Sequence, residues 1–521
     1  MRSPDIEEQK HPGLAERPSA GLAADQSSTD DKQMHFSLWS TIGISYSTMA
    51  TPLSIGTYMA FSIGVGGSPV FIFGYIVSIL FQFLVCLSLA EMARLFPHST
   101  GQVHWTSVLA PPRWSRILSY WVGAFTAAGW FFWTVGTYLF SAQLVLAMAA
   151  TGHPSFEAQD WQVYLCLVGA AVIAVLLNIH LFRGYSLVLK AMIIVVNVGA
   201  ILVFVVLLAR SYPKRSAPSV FTEFVNETGW DSDGFVFLLG CLPGITAING
   251  FDSATHVTDE IPNPSKQIPR VMIWSSALAA LAGIPMVIAF MFCVVNQENL
   301  LAPLGGQPVA QLIYDSCAST PLALLLLFVY VFVFYVACGT LTTTFSRVLW
   351  SLARQRHLFI GSWLAELSGT HELPEHAIYF ASLFSCLIGL LCLGPSTALN
   401  AILGSAAISF FVSYTIPIAC LIIDRNPLSS KPSTVKGDRG TLAVNLMALA
   451  WMLLMSVVLL FPQYLPVEVL SMNYTVAVLA LVVLVYSLNW VLYAKKHYAD
   501  PKTAFDDQGD GPFSCAGEGH A

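Results

Sequence analysis

The sequence predicts an all-α membrane protein with twelve transmembrane helices, and three observations support this fold class. Of the 521 residues, 55% are hydrophobic and 10% are charged, whereas soluble domains carry about 25% charged residues. The mean hydropathy is +0.67. The apolar residues form long continuous runs rather than the alternating pattern of barrel strands. A soluble enzyme, a nucleic-acid-binding protein and a disordered scaffold are therefore poor fits to this chain.

Twelve apolar segments are long enough to cross a bilayer, since a helix needs roughly 20 residues to span about 30 Å of hydrocarbon. These predicted spans 1 to 12 lie at 37–60, 70–93, 117–149, 161–180, 187–209, 235–258, 271–295, 322–350, 377–394, 397–423, 441–461 and 472–494. Gly123 and Gly129 in the long third span suggest a tilted or distorted helix.

The segments outside the spans predict the domain organisation and the orientation. Residues 1–35 are expected to be a disordered tail, residues 36–494 the twelve-helix domain, and residues 495–521 a second tail. The N-terminus lacks the charged-then-apolar pattern of a cleaved signal peptide. With that end inside, 21 of the 24 Lys and Arg residues fall on the inner side. Because positive residues favour the cytoplasm, both tails are predicted to be cytoplasmic.

The loop at about 210–234 is the longest predicted outer loop and carries the sequon Asn226-Glu227-Thr228. Such a tripeptide is an N-glycosylation acceptor, so Asn226 is a predicted glycosylation site. The ten cysteines show no disulfide framework and no zinc-ligand spacing with histidine. We therefore expect no metal and no cofactor.

Two spans contain helix-breaking residues at the depth where transporters bind substrate. Polar, glycine and proline residues interrupt the apolar runs: Thr51, Pro52, Ser54 and Gly56 in span 1, and Thr246, Asn249 and Gly250 in span 6. Interrupted helices free backbone groups that face the ligand in many transporters. A single proline in a membrane helix often marks only a kink, which is the alternative explanation here.

Asp252 is the most costly residue in the apolar part of the chain. A carboxylate at membrane depth costs several kcal/mol and usually marks an ion or proton path. The alternative is a helix end, because Asp259 and Glu260 follow two turns later. We predict a coupling or gating role for Asp252.

Three further groups have a structural explanation beside a functional one. Glu91 and Arg347 are candidate gating residues, with an interfacial salt bridge and a cytoplasmic positive cap as the respective alternatives. His180 and His256 lie near span ends, where lone histidines are more often interfacial than proton relays. Trp130, the first of four consecutive aromatic residues in span 3, is a candidate for holding a cation on its ring face.

Several spaced motifs resemble one transporter superfamily. LAEMA (89–93) followed by FPHSTGQ (96–102) resembles the second helix and first cytoplasmic loop of the amino acid–polyamine–organocation superfamily. The most specific block is GFDSATH (250–256), which continues into DEIPNP (259–264). APPR (110–113) and NETGW (226–230) are similar to its fungal amino acid/choline branch, which includes GABA and choline permeases. The resemblance covers about residues 36–495.

The resemblance implies a LeuT-like fold, with a five-plus-five inverted repeat plus two helices, that works by alternating access. It implies that residues 51–56 and 246–250 are unwound, substrate-facing segments, that Asp252 senses protons or gates, and that Glu91 and Arg347 are cytoplasmic gate elements. Members similar to GABA permeases have tryptophan where Thr246 stands here. The substrate therefore carries over less well than the fold, although Trp130, Trp133 or Tyr335 could compensate for the missing ring.

The sequence as a whole predicts a multi-pass permease of the plasma membrane that works as a proton-coupled importer of a small amine or amino acid, such as GABA or choline. Helix N-termini at the interruptions would neutralise a substrate carboxylate, while Asn249 and Thr246 hydrogen-bond it. Its partners would be this substrate, protons and the lipid bilayer, with no nucleic acid. The alternative is a non-transporting nutrient sensor with the same fold. A channel is less favoured because no filter motif is present, and no motif of an enzyme is found.

Overall fold

The computed structural model describes residues 36–499 except 63, 154, 295, 370–371, 394–396, 424–438 and 470–471. The predicted tails at 1–35 and 500–521 lie outside these residues. In the described part, regular secondary structure is helical and two isolated β-bridges are the remaining pairing. The N-terminal half contains helices α1 to α10: Leu38–Met49, Thr51–Ser54, Gly67–Leu95, Gln102–Leu109, Ser115–Gly152, Asp160–Asn178, Phe182–Arg210, Ala217–Phe221, Asp233–Leu239 and Leu242–Ala247.

The C-terminal half continues with α11 to α19, and 3-10 turns lengthen several of the elements. These helices are Pro264–Cys293, Pro308–Cys317, Thr320–Arg354, Gly361–Leu364, Glu375–Gly389, Thr397–Ile423, Arg439–Val458, Thr475–Asn489 and Lys495–His497. The longer 3-10 segments are Ile55–Ser62, Phe251–Glu260 and Leu390–Leu393. A π-helical turn, Trp490–Ala494, joins α18 to α19.

Ten helical segments in the described residues are long and apolar enough to cross a membrane, and they match predicted spans 2 to 8 and 10 to 12. Span 6 is composite, because Asp233–Glu260 joins α9, α10 and a 3-10 segment. Span 1 is divided into α1, α2 and a 3-10 segment. Span 9 is the shorter helix α15, extended by a 3-10 turn. These two segments account for the difference between ten spans and the twelve predicted.

Exposed apolar side chains cover the outer faces of the long helices, and α7 is an example. On α7, Leu187, Ile194 and Ile201 are 71%, 67% and 63% exposed, and they recur every seven residues on one face. On the opposite face, Leu189 and Val196 are fully buried. Large exposed apolar surface is rare on soluble monomers, so this arrangement agrees with a multi-pass membrane protein.

Helix α5 lies at the centre of the bundle, packed mainly against α13 and α16. Its 38 residues form one continuous α-helix. Instead of interrupting it, Gly123 and Gly129 allow close packing: a Cβ atom would stand 2.8 Å from the His357 ring and 3.0 Å from the Phe410 ring. The aromatic run at 130–133 is buried, at most 8% exposed. The run is therefore engaged in packing between helices.

The end of the chain is attached to the bundle through Arg116 of α5. One guanidinium nitrogen, Nη2, donates to the carbonyl oxygens of Lys495 and Tyr498, both at 3.0 Å, and to that of Ala494 at 3.4 Å. The same side chain lies over the Trp490 ring, 5.8 Å from its centroid. Residues 495–499, placed in the tail by the sequence, thus begin as a short docked helix.

Replacing Arg116 with Ala is expected to release this segment. Hydrogen bonds to a charged group contribute about 1.5–3 kcal/mol, and α19 has few other contacts because its three residues are mostly exposed. Limited trypsin digestion of the purified protein should then cleave faster after Lys495 and Lys496. Arg113→Ala is the matched control, because Arg113 lies over the Trp114 ring. Equal cleavage rates in both variants would contradict the attachment.

Candidate functional site

The first interruption lies where α1 ends. Ala50 adopts a left-handed conformation, with φ 41°, and its N–H donates to Tyr46 O. Pro52 lies in the first turn of α2, where a backbone N–H would have no partner within the helix, so its absence costs no hydrogen bond. The Ser54 hydroxyl donates to the freed carbonyl of Met49 at 2.9 Å. The predicted break in span 1 is therefore confirmed, and the polar side chain satisfies part of the opened backbone.

The second interruption lies between α10 and the 3-10 segment Phe251–Glu260. Gly250 has φ 97°, a conformation that side chains with a Cβ rarely adopt. A Cβ at Gly250 would also stand 2.7 Å from the Thr48 methyl carbon on α1. The predicted break in span 6 is confirmed, and glycine is required there for both conformation and space.

The two interruptions are in direct contact. The Thr51 hydroxyl donates to the Ala247 carbonyl at 2.6 Å, and the hydroxyls of Ser45 and Ser253 are 2.8 Å apart. Thr246 bonds back to carbonyls of its own helix, Leu242 at 2.9 Å among them. Gly56 is closely packed, because a Cβ there would stand 2.9 Å from a Val309 methyl carbon. The predicted substrate-facing residues of spans 1 and 6 thus form one buried unit. The expectation that residues 51–56 and 246–250 are unwound is wrong in part, because 51–54 form helix α2 and 246–247 end helix α10.

Polar atoms at this junction have unused hydrogen-bonding capacity. Gln82 of α3 donates its amide to Asn249 Oδ1 at 2.9 Å. Gln82 Oε1, Asn249 Nδ2 and Trp130 Nε1 are buried with no hydrogen-bond partner. The Trp130 ring would lie 3.6 Å from a Cβ at Gly250. Because buried polar atoms are nearly always paired, these two donors and one acceptor are candidates for bonding a polar ligand or water.

Asp252 is fully buried two residues beyond the second interruption. Gln102 donates its amide to Asp252 Oδ2 at 2.6 Å, and His256 Nε2 lies 3.5 Å from the same oxygen. Tyr414 of α16 and Cys86 of α3 also interact electrostatically with this carboxylate. Asp252 thus lies in the first turn of the 3-10 segment, and it is buried rather than exposed.

Arg347 forms the other buried ionic contact. Its Nε donates to Glu260 Oε1 at 3.0 Å, and the two side chains are 1% and 16% exposed. The Glu260 carbonyl also accepts from the Phe36 N–H at 3.2 Å. Arg347 therefore ties α13 to the end of span 6 and to the start of span 1.

Three other predicted residues lie away from this unit. Glu91 is partly exposed and interacts with Arg94 near the end of α3. Tyr335 packs in a separate cluster with Cys166 of α6. Asn226 is exposed, and its amide donates to Trp230 O at 2.9 Å.

No sequence prediction assigned a role to Gln82 or Gln102, and His256 was assigned to an interface. Gln82 could have been found in the same way as Asp252, because it is a polar residue inside an apolar run. His256 follows Asp252 by four residues, a spacing that places two side chains on one helix face. Gln102 has no comparable signal, since its contact depends on how the loop after α3 folds back.

Replacing Gly250 with Ala is expected to abolish uptake and to lower the melting temperature. A strained non-glycine backbone costs about 1–3 kcal/mol, and the new methyl group must also displace Thr48, which bonds Thr340 of α13 at 3.2 Å. Detergent-solubilised protein can be compared by thermal unfolding. Gly169→Ala on α6 is the control, because a Cβ there meets nothing within 4 Å. Uptake and a melting temperature in Gly250→Ala equal to those of the wild type would contradict the requirement for glycine at this position.

Within the described residues, no group of three or more His, Cys, Asp or Glu side chains is placed to hold a metal ion.

Comparison with known proteins identifies the family of this chain. The sequence profile described as "Amino acid permease" matches residues 36–484, which includes both interruptions and Asp252.

The related proteins have transporter names and align over most of their length. A choline transporter of Saccharomyces cerevisiae is 27% identical over 467 residues, which is 89% of this chain and 82% of the relative. An amino-acid permease of Arabidopsis thaliana is 26% identical over 89% of this chain and 92% of its own length. A swainsonine transporter of Arthroderma benhamiae is 27% identical with the same two coverages. The chain therefore belongs to the amino acid permease family and is a multi-pass membrane transporter rather than an enzyme.

Proposed function

We propose that this protein imports a small amino acid or amine across the plasma membrane by proton-coupled alternating access. The observation that carries the proposal is the contact between two interrupted spans, Thr51 Oγ1 to Ala247 O at 2.6 Å, beside the buried carboxylate of Asp252. A discontinuous helix pair with a nearby acidic residue is an arrangement that transporters use for substrate and ion binding.

Contacts between spans support a LeuT-like fold of twelve helices with a five-plus-five repeat. Spans 1 and 6 meet at their interruptions, span 2 packs on span 7 through α3 and α11, and span 3 packs on span 8 through α5 and α13. Each pair is five positions apart, as expected for elements related by the axis of such a repeat. In this fold, α15 is the ninth transmembrane segment.

The unused polar atoms favour an amino acid over choline as the substrate. Asn249 Nδ2 and Trp130 Nε1 are donors that suit a carboxylate, and Gln82 Oε1 is an acceptor that suits an ammonium group. A quaternary ammonium cannot donate a hydrogen bond and needs aromatic ring faces instead. Choline, the substrate named for the yeast relative, is the second candidate.

The Arg347–Glu260 contact is assigned to the cytoplasmic gate. The distribution of Lys and Arg supports a cytoplasmic location for this end of the bundle, and the pair links spans 8 and 6 to the start of span 1. Opening toward the cytoplasm then requires this ion pair to separate. Glu91, near the same predicted face, is assigned to the gate periphery, and exposed Asn226 to the outer, glycosylated surface.

An uptake panel tests this proposal. Yeast cells lacking their own permeases would express the protein and receive radiolabelled amino acids, γ-aminobutyrate and choline in turn. We expect accumulation of at least one amino acid, faster at acidic external pH and abolished by a protonophore. Cells with an empty vector provide the background. Binding without accumulation across the whole panel would instead indicate the alternative, a nutrient sensor.

A further inference from the structure

We propose that Asp252 and His256 hold the coupling proton jointly, and that His256 passes it toward the cytoplasm. This inference rests on the proposed function and assigns the route that the proton takes. An interfacial role is predicted for His256 from its position near a span end, but its side chain is 1% exposed and faces the carboxylate of Asp252. The geometry around the imidazole ring carries the inference.

The protonation pattern of the ring follows from its contacts. His256 Nδ1 lies 3.1 Å from the Ser99 carbonyl oxygen. Because a carbonyl oxygen only accepts hydrogen bonds, Nδ1 must carry the proton. In a neutral ring, Nε2 then presents its lone pair, and that atom is the one 3.5 Å from Asp252 Oδ2.

The pair is consequently one proton short. A lone pair and a carboxylate oxygen face each other, and both His256 Nε2 and Asp252 Oδ1 are buried without a hydrogen-bond partner. One added proton converts this repulsive contact into a hydrogen bond, whether it resides on the carboxyl group or on the ring. Because the added proton lies between the two groups, we treat them as a single proton site.

Uncharged side chains from three neighbouring helices face this site. From α3 and α16 it is faced by the Cys86 thiol and the Tyr414 hydroxyl. From α5 it is faced by the Trp130 ring, perpendicular to His256 at 5.8 Å. From α1 the segment is contacted by the Ser45 hydroxyl, which does not ionise at physiological pH.

The remaining ionic groups on the packed elements are engaged with each other or exposed. Arg347 of α13 pairs with Glu260, and Arg354 pairs with Asp259 at 3.7 Å. The basic residues at the start of α11, Lys266 and Arg270, are exposed.

Polar groups lie between His256 and the protein surface. The same Ser99 whose carbonyl accepts from the ring donates its hydroxyl to Asp259 Oδ2 at 2.8 Å. Asp259 is 45% exposed at the predicted cytoplasmic end. Asp252 is the half of the pair nearer the interruption, and His256 is the half nearer this exit. The proton thus moves from the Asp252 carboxyl group to His256 Nε2, which makes the ring an imidazolium whose Nδ1–H stays bonded to the Ser99 carbonyl. When the gate beside it opens, the proton leaves Nε2 to water.

The test separates substrate exchange from proton-driven transport in purified protein reconstituted into liposomes. The probes are the radiolabelled panel compound that the wild type accumulates and the pH dye pyranine trapped inside the vesicles. His256→Gln keeps the size and polarity of the side chain but cannot ionise. We expect counterflow exchange at equal pH to match the wild type, while uptake driven by a pH gradient falls by about tenfold or more and proton entry with substrate disappears.

His180→Gln is the matched control, since His180 is exposed, and it should change neither readout. His256→Asn serves as a second variant if His256→Gln does not fold. The inference is wrong if gradient-driven uptake persists, or if both variants lose exchange as well, which would make His256 structural. If Asp252→Asn uncouples transport and His256→Gln does not, this inference fails alone. If the wild type accumulates nothing, the proposed function fails with it.

Discussion

Uptake by an Asp252→Asn variant is expected to be independent of external pH. The substitution preserves size and leaves a polar group for Gln102, which donates to Asp252 at 2.6 Å, but it removes the group that can gain and lose a proton. Without a protonation step the inward and outward conformations are no longer linked to the proton gradient. We expect concentrative uptake to fall by about tenfold or more, with exchange of substrate retained.

The measurement is the initial rate of radiolabelled uptake over a series of external pH values. Glu223→Gln is the control, because that carboxylate is 58% exposed, pairs with Arg215 and lies outside the proposed proton route. It should retain the wild-type pH profile. A wild-type profile in Asp252→Asn would remove Asp252 from the coupling mechanism.

Replacing Arg347 with Ala is expected to lower the stability of the protein and to prevent closure of the cytoplasmic gate. In Arg347→Ala the Glu260 carboxylate, 16% exposed, loses the guanidinium 3.0 Å away. Removing one partner of a buried ion pair costs about 3–5 kcal/mol. We therefore expect a lower melting temperature and little uptake. The exposed pair provides the control: Arg354→Ala removes a contact worth at most about 1 kcal/mol and should behave like the wild type.

A double variant separates gating from stability. Arg347→Met combined with Glu260→Gln removes both charges, and neutral replacement of a buried ion pair is often tolerated. We expect its melting temperature to recover toward the wild-type value while concentrative uptake stays low, since the contact that closes this end is absent. Wild-type uptake in the double variant would show that the pair has no gating role.

The sequence was sufficient to predict the interruptions because their cause is local. Proline lacks an N–H and glycine tolerates a positive φ, so the breaks at Ala50–Pro52 and Gly250 could be located from residue types alone. The apolar spans were equally local. Ten of the twelve appear as long helices, and the other two are shorter because one is interrupted and the other ends in a 3-10 turn.

The partners of the buried charges could not be predicted, because they depend on tertiary contacts between distant segments. Glu260 meets Arg347 across 87 positions, and Gln102 meets Asp252 across 150. Tyr335 was a candidate for the substrate site, and it lies on α13, which contacts that site. Its position around the helix axis directs it instead into a separate cluster. Periodicity identifies a helix, but it does not specify which neighbour each face meets.

The central claim, that a proton gradient drives accumulation, is tested most directly in liposomes containing the purified protein as their sole transporter. With the interior made alkaline, the labelled amino acid that gives the strongest uptake in the yeast panel should rise above its external concentration and fall back when a protonophore is added. Binding that never exceeds the amount of protein, with no accumulation under the gradient, would contradict the account and identify a sensor instead.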